Sequence, residues 1–214
     1  MNSIPQPPPT SSAPVTVTDR VRRSFRWFID PITTILMKTG ITPNTLTVMG
    51  ALVNGGVGVL AATGNLTLAG IVLLVSGLFD ALDGALARRI GITSKFGAFL
   101  DSTLDRYSEA FVLGGVLVYA QGRGLALEEL LAYVTLAGAL LISYTRARAE
   151  GLGIDCKVGL LTRMERFLIL SGLLIVQQLT IGLLILAILT HVTVIQRVLH
   201  VGRTLRRIER AEKE

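Results

Sequence analysis

Long apolar blocks separated by short polar breaks constrain this chain more than any other feature. A helix needs about 20 consecutive apolar residues to cross the hydrocarbon core of a bilayer. Of the 214 residues, 50% are hydrophobic and 17% are charged, a composition typical of membrane proteins. The blocks cover residues 44–63, 66–87, 98–121, 126–145 and 167–196. The sequence therefore predicts an all-α membrane protein with a single domain.

The basic residues indicate how these blocks cross the membrane. Most of the 21 Lys and Arg residues fall into four clusters, at residues 20–38, 88–95, 146–166 and 197–213. Basic residues are retained on the cytoplasmic side of a membrane, so an even number of crossings must separate neighbouring clusters. The block at 167–196 must then be a hairpin of two short helices, with its turn at Gln177, Gln178 and Leu179. We predict six transmembrane helices, with both termini of the chain and the basic ends of the helices in the cytoplasm.

The remaining segments complete the expected organisation. Residues 1–18 are rich in Pro, Ser and Thr and predict a disordered cytoplasmic tail. Residues 19–38 gather apolar side chains on one face and predict an interfacial amphipathic helix; an ordinary polar flank of the first span is the alternative. Residues 39–200 are expected to form the six-helix transmembrane domain and residues 201–214 a basic cytoplasmic tail. Because the net charge of +6 follows membrane orientation, we expect no nucleic-acid partner.

Four aspartates interrupt the apolar pattern between the second and third blocks. Asp80 and Asp83 are three residues apart, and Asp101 and Asp105 are four apart. Either spacing puts both carboxylates of a pair on one helix face. The two faces lie at the same end of their helices and are joined by a short connection. The two pairs can therefore converge.

Carboxylates in a membrane helix require compensation. One charged Asp at the centre of such a helix costs roughly 2.5–3.5 kcal/mol. Carboxylate oxygens suit Mg²⁺ or Mn²⁺, and four of them can hold two ions about 4 Å apart, an arrangement used in phosphoryl transfer. The alternative is that the aspartates end their helices in the headgroup region and pair with Arg88, Arg89 and Arg106. The two face-matched pairs favour the metal site.

Small residues around the aspartates complete a longer pattern. It reads Asp80-x2-Asp83-Gly84-x2-Ala87-Arg88-x8-Gly97-x3-Asp101-x3-Asp105. At every defined position it resembles the signature of the CDP-alcohol phosphotransferase family. The six-helix hydropathy agrees with that family's fold over residues 39–200.

The resemblance implies a homodimeric membrane enzyme that moves a phosphatidyl group from CDP-diacylglycerol to an alcohol and releases CMP. It implies two bound Mg²⁺ ions, with Mn²⁺ as an alternative, held by Asp80, Asp83, Asp101 and Asp105. Asp105 would also be the general base. Contacts to the CDP-lipid are expected from Asn44, Thr45, Thr47, Gly84, Arg88 and Ser94. For the stretch ITPNTLT at 41–47, the alternative is that Thr42 or Asn44 only caps a helix.

The acceptor alcohol is expected to carry a phosphate. Arg146, Arg166 and Arg197 lie at the ends of three spans that should surround the site, and charge at helix ends inside a bundle favours an anionic ligand. The stretch SYTRARAE at 143–150, followed by ER at 165–166, resembles the family branch that makes phosphatidylinositol phosphate from inositol phosphate. Glycerol 3-phosphate, the acceptor of a phosphatidylglycerophosphate synthase, would use the same arginines and is the leading alternative.

A divalent-cation transporter is the alternative from another class of protein, because intramembrane carboxylates also mark ion pathways. It would need polar residues in both leaflets, whereas the outer halves of these blocks offer little beyond Gln and Thr. Glu109 continues the face of Asp101 and Asp105 by one turn. We expect it to orient a ligand or to pair with an arginine rather than to bind metal directly.

Overall fold

The computed structural model describes residues 29–91 and 94–211, and within these ranges all regular structure is helical. Helix α1 is described from residue 29 to residue 39. The helices that follow are α2 (Pro43–Ala62), α3 (Leu66–Ile90), α4 (Lys95–Gly122), α5 (Ala126–Glu150), α6 (Arg163–Val176) and α7 (Leu179–Ala211).

The helices form a bundle in which α2 packs against both α3 and α4. Helix α4 also packs against α5, α5 against α7, and α6 against α3 and α7. Glycines lie where helices approach most closely. Gly58 of α2 and Gly115 of α4 meet backbone to backbone, and a Cβ on Gly70 of α3 would lie 2.7 Å from the carbonyl oxygen of Ser171 in α6. Small residues at such crossings are what allow membrane helices to pack closely.

Apolar side chains cover both the inside and the outside of the bundle. Val57, Leu113 and Leu183 belong to a buried core shared by α2, α4 and α7. Large apolar side chains such as Leu52 and Ile181 are more than half exposed on the outer surface. A helix that is apolar on all sides is expected where the surrounding solvent is lipid.

Among the described helices, α2, α3, α5 and α7 are long and apolar enough to cross a membrane. The protein is therefore a multi-pass membrane protein. The first half of α4 carries several charges, and α6 has only 14 residues. Four of the six predicted transmembrane helices thus have the length and the apolar composition that a crossing needs.

The predicted hairpin in the fifth apolar block is confirmed. Helix α6 ends at Val176, Gln177 adopts a positive φ of 56°, and α7 begins at Leu179. The side-chain amide of Gln177 donates to Thr67 Oγ1 of α3 at 2.9 Å, which holds the turn against the bundle. The prediction that both arms are short is wrong for α7, which has 33 residues.

Helix α7 runs across the predicted border between the transmembrane domain and the C-terminal tail. Helix α7 continues to Ala211, so no break separates the transmembrane domain from the first part of the expected tail at 201–214. The expected disordered tail at 1–18 and the first part of the amphipathic helix at 19–38 lie outside the described residues. The described remainder of that segment is helical.

Candidate active site

The four aspartates lie at one end of the bundle, on either side of a gap between α3 and α4. Asp80 and Asp83 belong to the last turns of α3, and Asp101 and Asp105 to the first turns of α4. In the described chain α3 and α4 do not pack against each other, although α2 packs against both. Asp101 lies close enough to Asp80, Asp83 and Asp105 for their charges to repel. The structure therefore brings the two predicted pairs together.

A guanidinium from α6 joins the two sides of this gap. Arg163, the first residue of α6, pairs through Nη1 with Asp80 Oδ2 and through Nη2 with Asp105 Oδ1, each at 2.7 Å. Asp105 is the more enclosed partner, with 14% of its side chain exposed against 32% for Asp80. One cation thus bridges a carboxylate of each predicted pair.

The arginines named by the alternative interpretation do not fill this role. Arg89 donates to the carbonyl oxygen of Asp30 at 2.9 Å, and Arg106 donates to the carbonyl oxygen of Ser102 in its own helix. Within the described ranges, Arg163 is the one basic side chain that forms an ion pair with any of the four aspartates.

Asp83 is held from α2. It is 8% exposed and accepts a hydrogen bond of 2.9 Å from Thr47 Oγ1. The same hydroxyl lies 3.0 Å from the carbonyl oxygen of Pro43, one turn earlier. A hydroxyl that orients a carboxylate in this way acts as a support for that carboxylate. Thr47, predicted to contact the CDP-lipid, thus contacts Asp83 in the structure.

Of the other predicted CDP-lipid contacts of α2, Asn44 lies beside the start of α4 and Thr45 belongs to the N-terminal cap of α2. Thr42 caps α2 by accepting from the backbone N–H of Thr45 at 3.2 Å, so the capping role weighed for Thr42 is confirmed. Ser94 caps α4 by accepting from Gly97 N at 2.8 Å. A Cβ on Gly97 would lie 3.0 Å from Ser94 Oγ and 3.1 Å from Asn44 Oδ1. Because Gly97 has no Cβ, both polar side chains can lie against the N-terminal end of α4.

Gly84 and Arg88 meet on the last turns of α3. A Cβ on Gly84 would lie 3.2 Å from Arg88 Nη1, so the guanidinium folds back over the glycine. Arg88 itself is exposed. These two residues form a small basic surface next to Asp80 and Asp83 in the chain.

Arg166 is the most deeply buried of the predicted acceptor arginines, with 4% of its surface exposed. Glu109 of α4 binds it through both oxygens, at 2.7 Å to Nε and 3.0 Å to Nη2. The prediction that Glu109 orients a ligand or pairs with an arginine is confirmed by this ion pair. A bidentate pair of this kind fixes the position of the guanidinium.

The other two acceptor arginines are held differently. Arg197 of α7 is 7% exposed and donates to the carbonyl oxygens of Val158 at 3.0 Å and Ile142 at 2.5 Å. It thereby ties the connection before α6 to α5. Arg146 is exposed and pairs with Glu150 at 2.8 Å on its own helix. Arg197 lies within electrostatic reach of both Arg146 and Arg166.

One cavity is lined by one member of the acidic cluster, Asp105, and by one of the predicted acceptor arginines, Arg166. Its polar wall includes Asp105, Glu109, Arg163 and Arg166, and Ser108 lies between the two acidic residues. Apolar side chains from α3, α4, α6 and α7 line the rest, namely Leu73, Val112, Leu113, Phe167, Leu170 and Leu186. A ligand in this cavity would contact both a carboxylate and a guanidinium.

The acidic cluster fits a divalent cation by its chemistry. Four carboxylates supply hard oxygen ligands of the kind that Mg²⁺ and Mn²⁺ prefer. In the part of the chain that the structure describes, no three His, Cys, Asp or Glu side chains are grouped as the ligands of one ion. Asp80 and Asp105 bind Arg163 instead. The four carboxylates suit a divalent cation, and in the structure Arg163 pairs with two of them.

In the sequence, Arg163 stands out only as one charge of the 146–166 cluster. Its spacing of three residues from Arg166 could have marked it, because residues i and i+3 share a helix face. The capping box formed by Thr162 and Glu165 starts α6 at Arg163 and so aims this face at the site. What the spacing could not reveal is the pairing with α3 and α4.

Fold and site together define a multi-pass helical membrane protein whose acidic cluster and arginines share one end of the bundle. The sequence profile of the CDP-alcohol phosphatidyltransferase family matches residues 40–198, and the chain belongs to that family. Family membership makes it a phosphatidyltransferase enzyme, which confirms the resemblance inferred from the aspartate pattern.

Related proteins of known name extend over most of the chain. The archaetidylinositol phosphate synthase of Pyrococcus horikoshii is 38% identical over 187 residues, which are 87% of this chain and 97% of that protein. A crystal structure of Mycobacterium tuberculosis phosphatidylinositol phosphate synthase with CDP-DAG bound is similar with a TM-score of 0.77 and 32% identity, covering 81% of this chain and 92% of that one. The same synthase in complex with manganese and citrate has a TM-score of 0.75 at 31% identity, covering 81% of this chain and 88% of that one.

Proposed function

We propose that this protein transfers the phosphatidyl group of CDP-diacylglycerol to inositol phosphate, giving phosphatidylinositol phosphate and CMP. The observation that carries the proposal is the cavity that Asp105 and Arg166 both line. A carboxylate can take a proton there while a guanidinium binds a phosphate. The two named relatives differ in their lipid, archaetidyl or phosphatidyl, but share inositol phosphate as the head group. This supports inositol phosphate over glycerol 3-phosphate as the acceptor.

The metal site is assigned to Asp80, Asp83, Asp101 and Asp105. We place two Mg²⁺ ions among them, with Mn²⁺ able to replace Mg²⁺. When bound, the ions neutralise the pyrophosphate of the donor and stabilise the charge on departing CMP. The manganese complex of the mycobacterial relative supports the use of a divalent cation. Thr47 keeps Asp83 oriented through its hydrogen bond of 2.9 Å.

Asp105 is the general base of the reaction. It accepts the proton of the acceptor hydroxyl while the hydroxyl oxygen forms a bond to the phosphorus on the lipid side of the pyrophosphate. The bond from that phosphorus to the bridging oxygen breaks, and CMP leaves with the electron pair.

The donor is held around the starts of α2 and α4 and the end of α3. Asn44, Thr45 and Ser94 supply polar groups at the helix starts, and Thr47 joins them through Asp83. Gly84 leaves room for the Arg88 guanidinium to lie over it, and that exposed guanidinium binds phosphate oxygens of the donor.

The acceptor phosphate is held by Arg146, Arg166 and Arg197. Glu109 takes Nε and Nη2 of Arg166, which leaves Nη1 for a phosphate oxygen. Arg197 keeps its carbonyl partners and contributes positive potential from a buried position. Arg146 is exposed and can turn from Glu150 towards an incoming anion. Buried guanidinium groups are favourable phosphate ligands because competing water is scarce.

The proposed topology has six crossings, α2 to α7, with the active site and both termini in the cytoplasm. The positive clusters at the ends of α3, α5 and α7 support this orientation. Helix α6 has 14 residues and is about 21 Å long, which is shorter than the hydrocarbon core of a bilayer. The turn that follows α6 must therefore lie on the membrane side of the outer headgroup region. We further propose that the protein is a homodimer in the membrane, as the family resemblance implies.

The acceptor is tested by competition between two labelled phosphates. Purified protein in lipid nanodiscs receives CDP-diacylglycerol with equal amounts of labelled inositol 1-phosphate and glycerol 3-phosphate. We expect the label of inositol 1-phosphate in the lipid fraction, and none in samples treated with EDTA. Incorporation of the glycerol compound alone would overturn the assignment. Replacing the donor by its archaeol counterpart then identifies the preferred lipid.

A further inference from the structure

Arg163 bonds to two carboxylates that the proposed metal site also requires. Its Nη1 and Nη2 atoms lie 2.7 Å from Asp80 Oδ2 and Asp105 Oδ1. These contacts join α6 to α3 and α4, the two helices that border the gap. The contacts are made by the planar fork of the guanidinium, which can reach two carboxylates at once.

The charges in the gap explain why a cation lies there. Four carboxylates from two helices converge, and the charges of Asp80, Asp101 and Asp105 repel one another. A positive group between Asp80 and Asp105 offsets part of this repulsion. Two divalent cations would offset it more completely and would bind the same oxygens. Arg163 and the metal therefore compete for one set of ligands.

We propose that Arg163 is a built-in substitute cation, which holds Asp80 and Asp105 in the metal-free protein and is displaced when a divalent cation binds. The inference rests on the proposed function in one respect, that metal binds to these aspartates. Once displaced, the guanidinium has an anionic partner within reach. Arg163 and Arg166 line the same cavity, so the released side chain joins Arg166 at the phosphate of the acceptor. Metal binding thereby prepares the acceptor site.

This exchange requires a side chain that can move. Arg163 has 38% of its side chain exposed, whereas Arg166 has 5%. Arg163 is also the first residue of α6, with no helical turn before it. Arg166 is fixed by Glu109, so of the two arginines only Arg163 is placed to change partners.

Metal binding without substrate tests the competition. Full-length wild type, Arg163→Gln and Arg163→Lys in nanodiscs are titrated with Mn²⁺, and free Mn²⁺ is followed by electron paramagnetic resonance. We expect Arg163→Gln to bind Mn²⁺ about fivefold more tightly or better, within the usual range of coupling between sites. Arg163→Lys should fall between the two, because an ammonium keeps the charge but lacks the fork. Arg203→Gln, which removes an exposed charge near the end of α7, should match wild type.

Thermal unfolding provides a second readout. In EDTA, Arg163→Gln should unfold at a lower temperature than wild type, and saturating Mn²⁺ should remove most of the difference. At saturating Mn²⁺, KM for inositol phosphate should rise about tenfold in Arg163→Gln, as for the loss of one charged hydrogen bond, with a smaller change in kcat.

The outcomes separate this inference from the proposed function. Equal or weaker Mn²⁺ binding by Arg163→Gln would overturn the inference alone. Failure of wild type and variants alike to bind Mn²⁺ would overturn the proposed metal site and this inference with it.

Discussion

Glu109 on α4 binds Arg166 on α6 through both carboxylate oxygens, at 2.7 Å and 3.0 Å, in a pair of which only 15% and 5% of the side chains are exposed. The two residues are separated by 57 positions in the sequence, and their pair joins α4 to α6. It keeps a guanidinium beside the cavity that also contains Asp105. In the proposed reaction this pair sets the distance between the base and the acceptor phosphate.

The first prediction concerns the stability of this pair. Glu109→Ala leaves Arg166 buried without its counter-charge, which should cost about 3–5 kcal/mol of stability. The matched control is Glu150→Ala, which breaks the exposed pair with Arg146 and should cost no more than about 1 kcal/mol. Thermal unfolding of both variants in nanodiscs measures the difference. Similar shifts for the two would show that Glu109 does not neutralise a buried charge.

The second prediction concerns the base. Asp105→Asn cannot accept the proton of the acceptor hydroxyl, so transfer should fall about 10²- to 10⁴-fold while CDP-diacylglycerol still binds. CMP release measures turnover, and binding of labelled donor measures occupancy. Asp155→Asn, in an exposed pair with Lys157, is the control and should keep wild-type turnover. Substantial CMP release by Asp105→Asn would remove the base assignment.

The third prediction concerns Thr47. Thr47→Val removes the hydroxyl that donates to Asp83 at 2.9 Å but keeps the shape of the side chain. Loss of a hydrogen bond that orients a metal ligand typically lowers metal affinity by about 10- to 100-fold. Mn²⁺ titration measures the change, and Thr63→Val at the far end of α2 is the control. Wild-type affinity in Thr47→Val would mean that Asp83 needs no support from α2.

The fourth prediction concerns the crossing of α2 and α4. A Cβ on Gly58 would overlap the backbone of α4 at Phe111, so Gly58→Ala should cost about 1–3 kcal/mol. Gly56→Ala on the same helix meets nothing within 4 Å and should be neutral or slightly stabilising. Thermal unfolding compares the two. Equal stability would indicate that the helices separate easily at this point.

Sequence reasoning located the aspartates because their spacing is local. An interval of three or four residues in a helix fixes a shared face whatever surrounds it. The pairing of Arg163 with Asp80 spans 83 positions, and no local pattern contains such a contact. The family signature identified more of the site than spacing alone, because it covers residues of both α3 and α4. It ends before α6 and therefore does not include Arg163.

Helix ends were predictable where polar residues interrupt an apolar block and not elsewhere. Gln177 and Gln178 interrupt the fifth block, and α6 ends there with a positive φ at Gln177. After Arg197 the chain becomes charged but contains Leu, Arg and Glu, which are good helix formers. Hydropathy marks where the apolar surface ends and says nothing about where the helix ends. Helix α7 therefore continues past the predicted border at residue 200.

The most direct test of the proposed function is CMP release by purified protein given CDP-diacylglycerol, with and without inositol 1-phosphate and with and without EDTA. We predict CMP release only when inositol 1-phosphate and a divalent cation are both present, with one phosphatidylinositol phosphate formed per CMP. CMP release that does not depend on inositol 1-phosphate, or that persists in EDTA, would contradict transfer to inositol phosphate at a metal site formed by these aspartates.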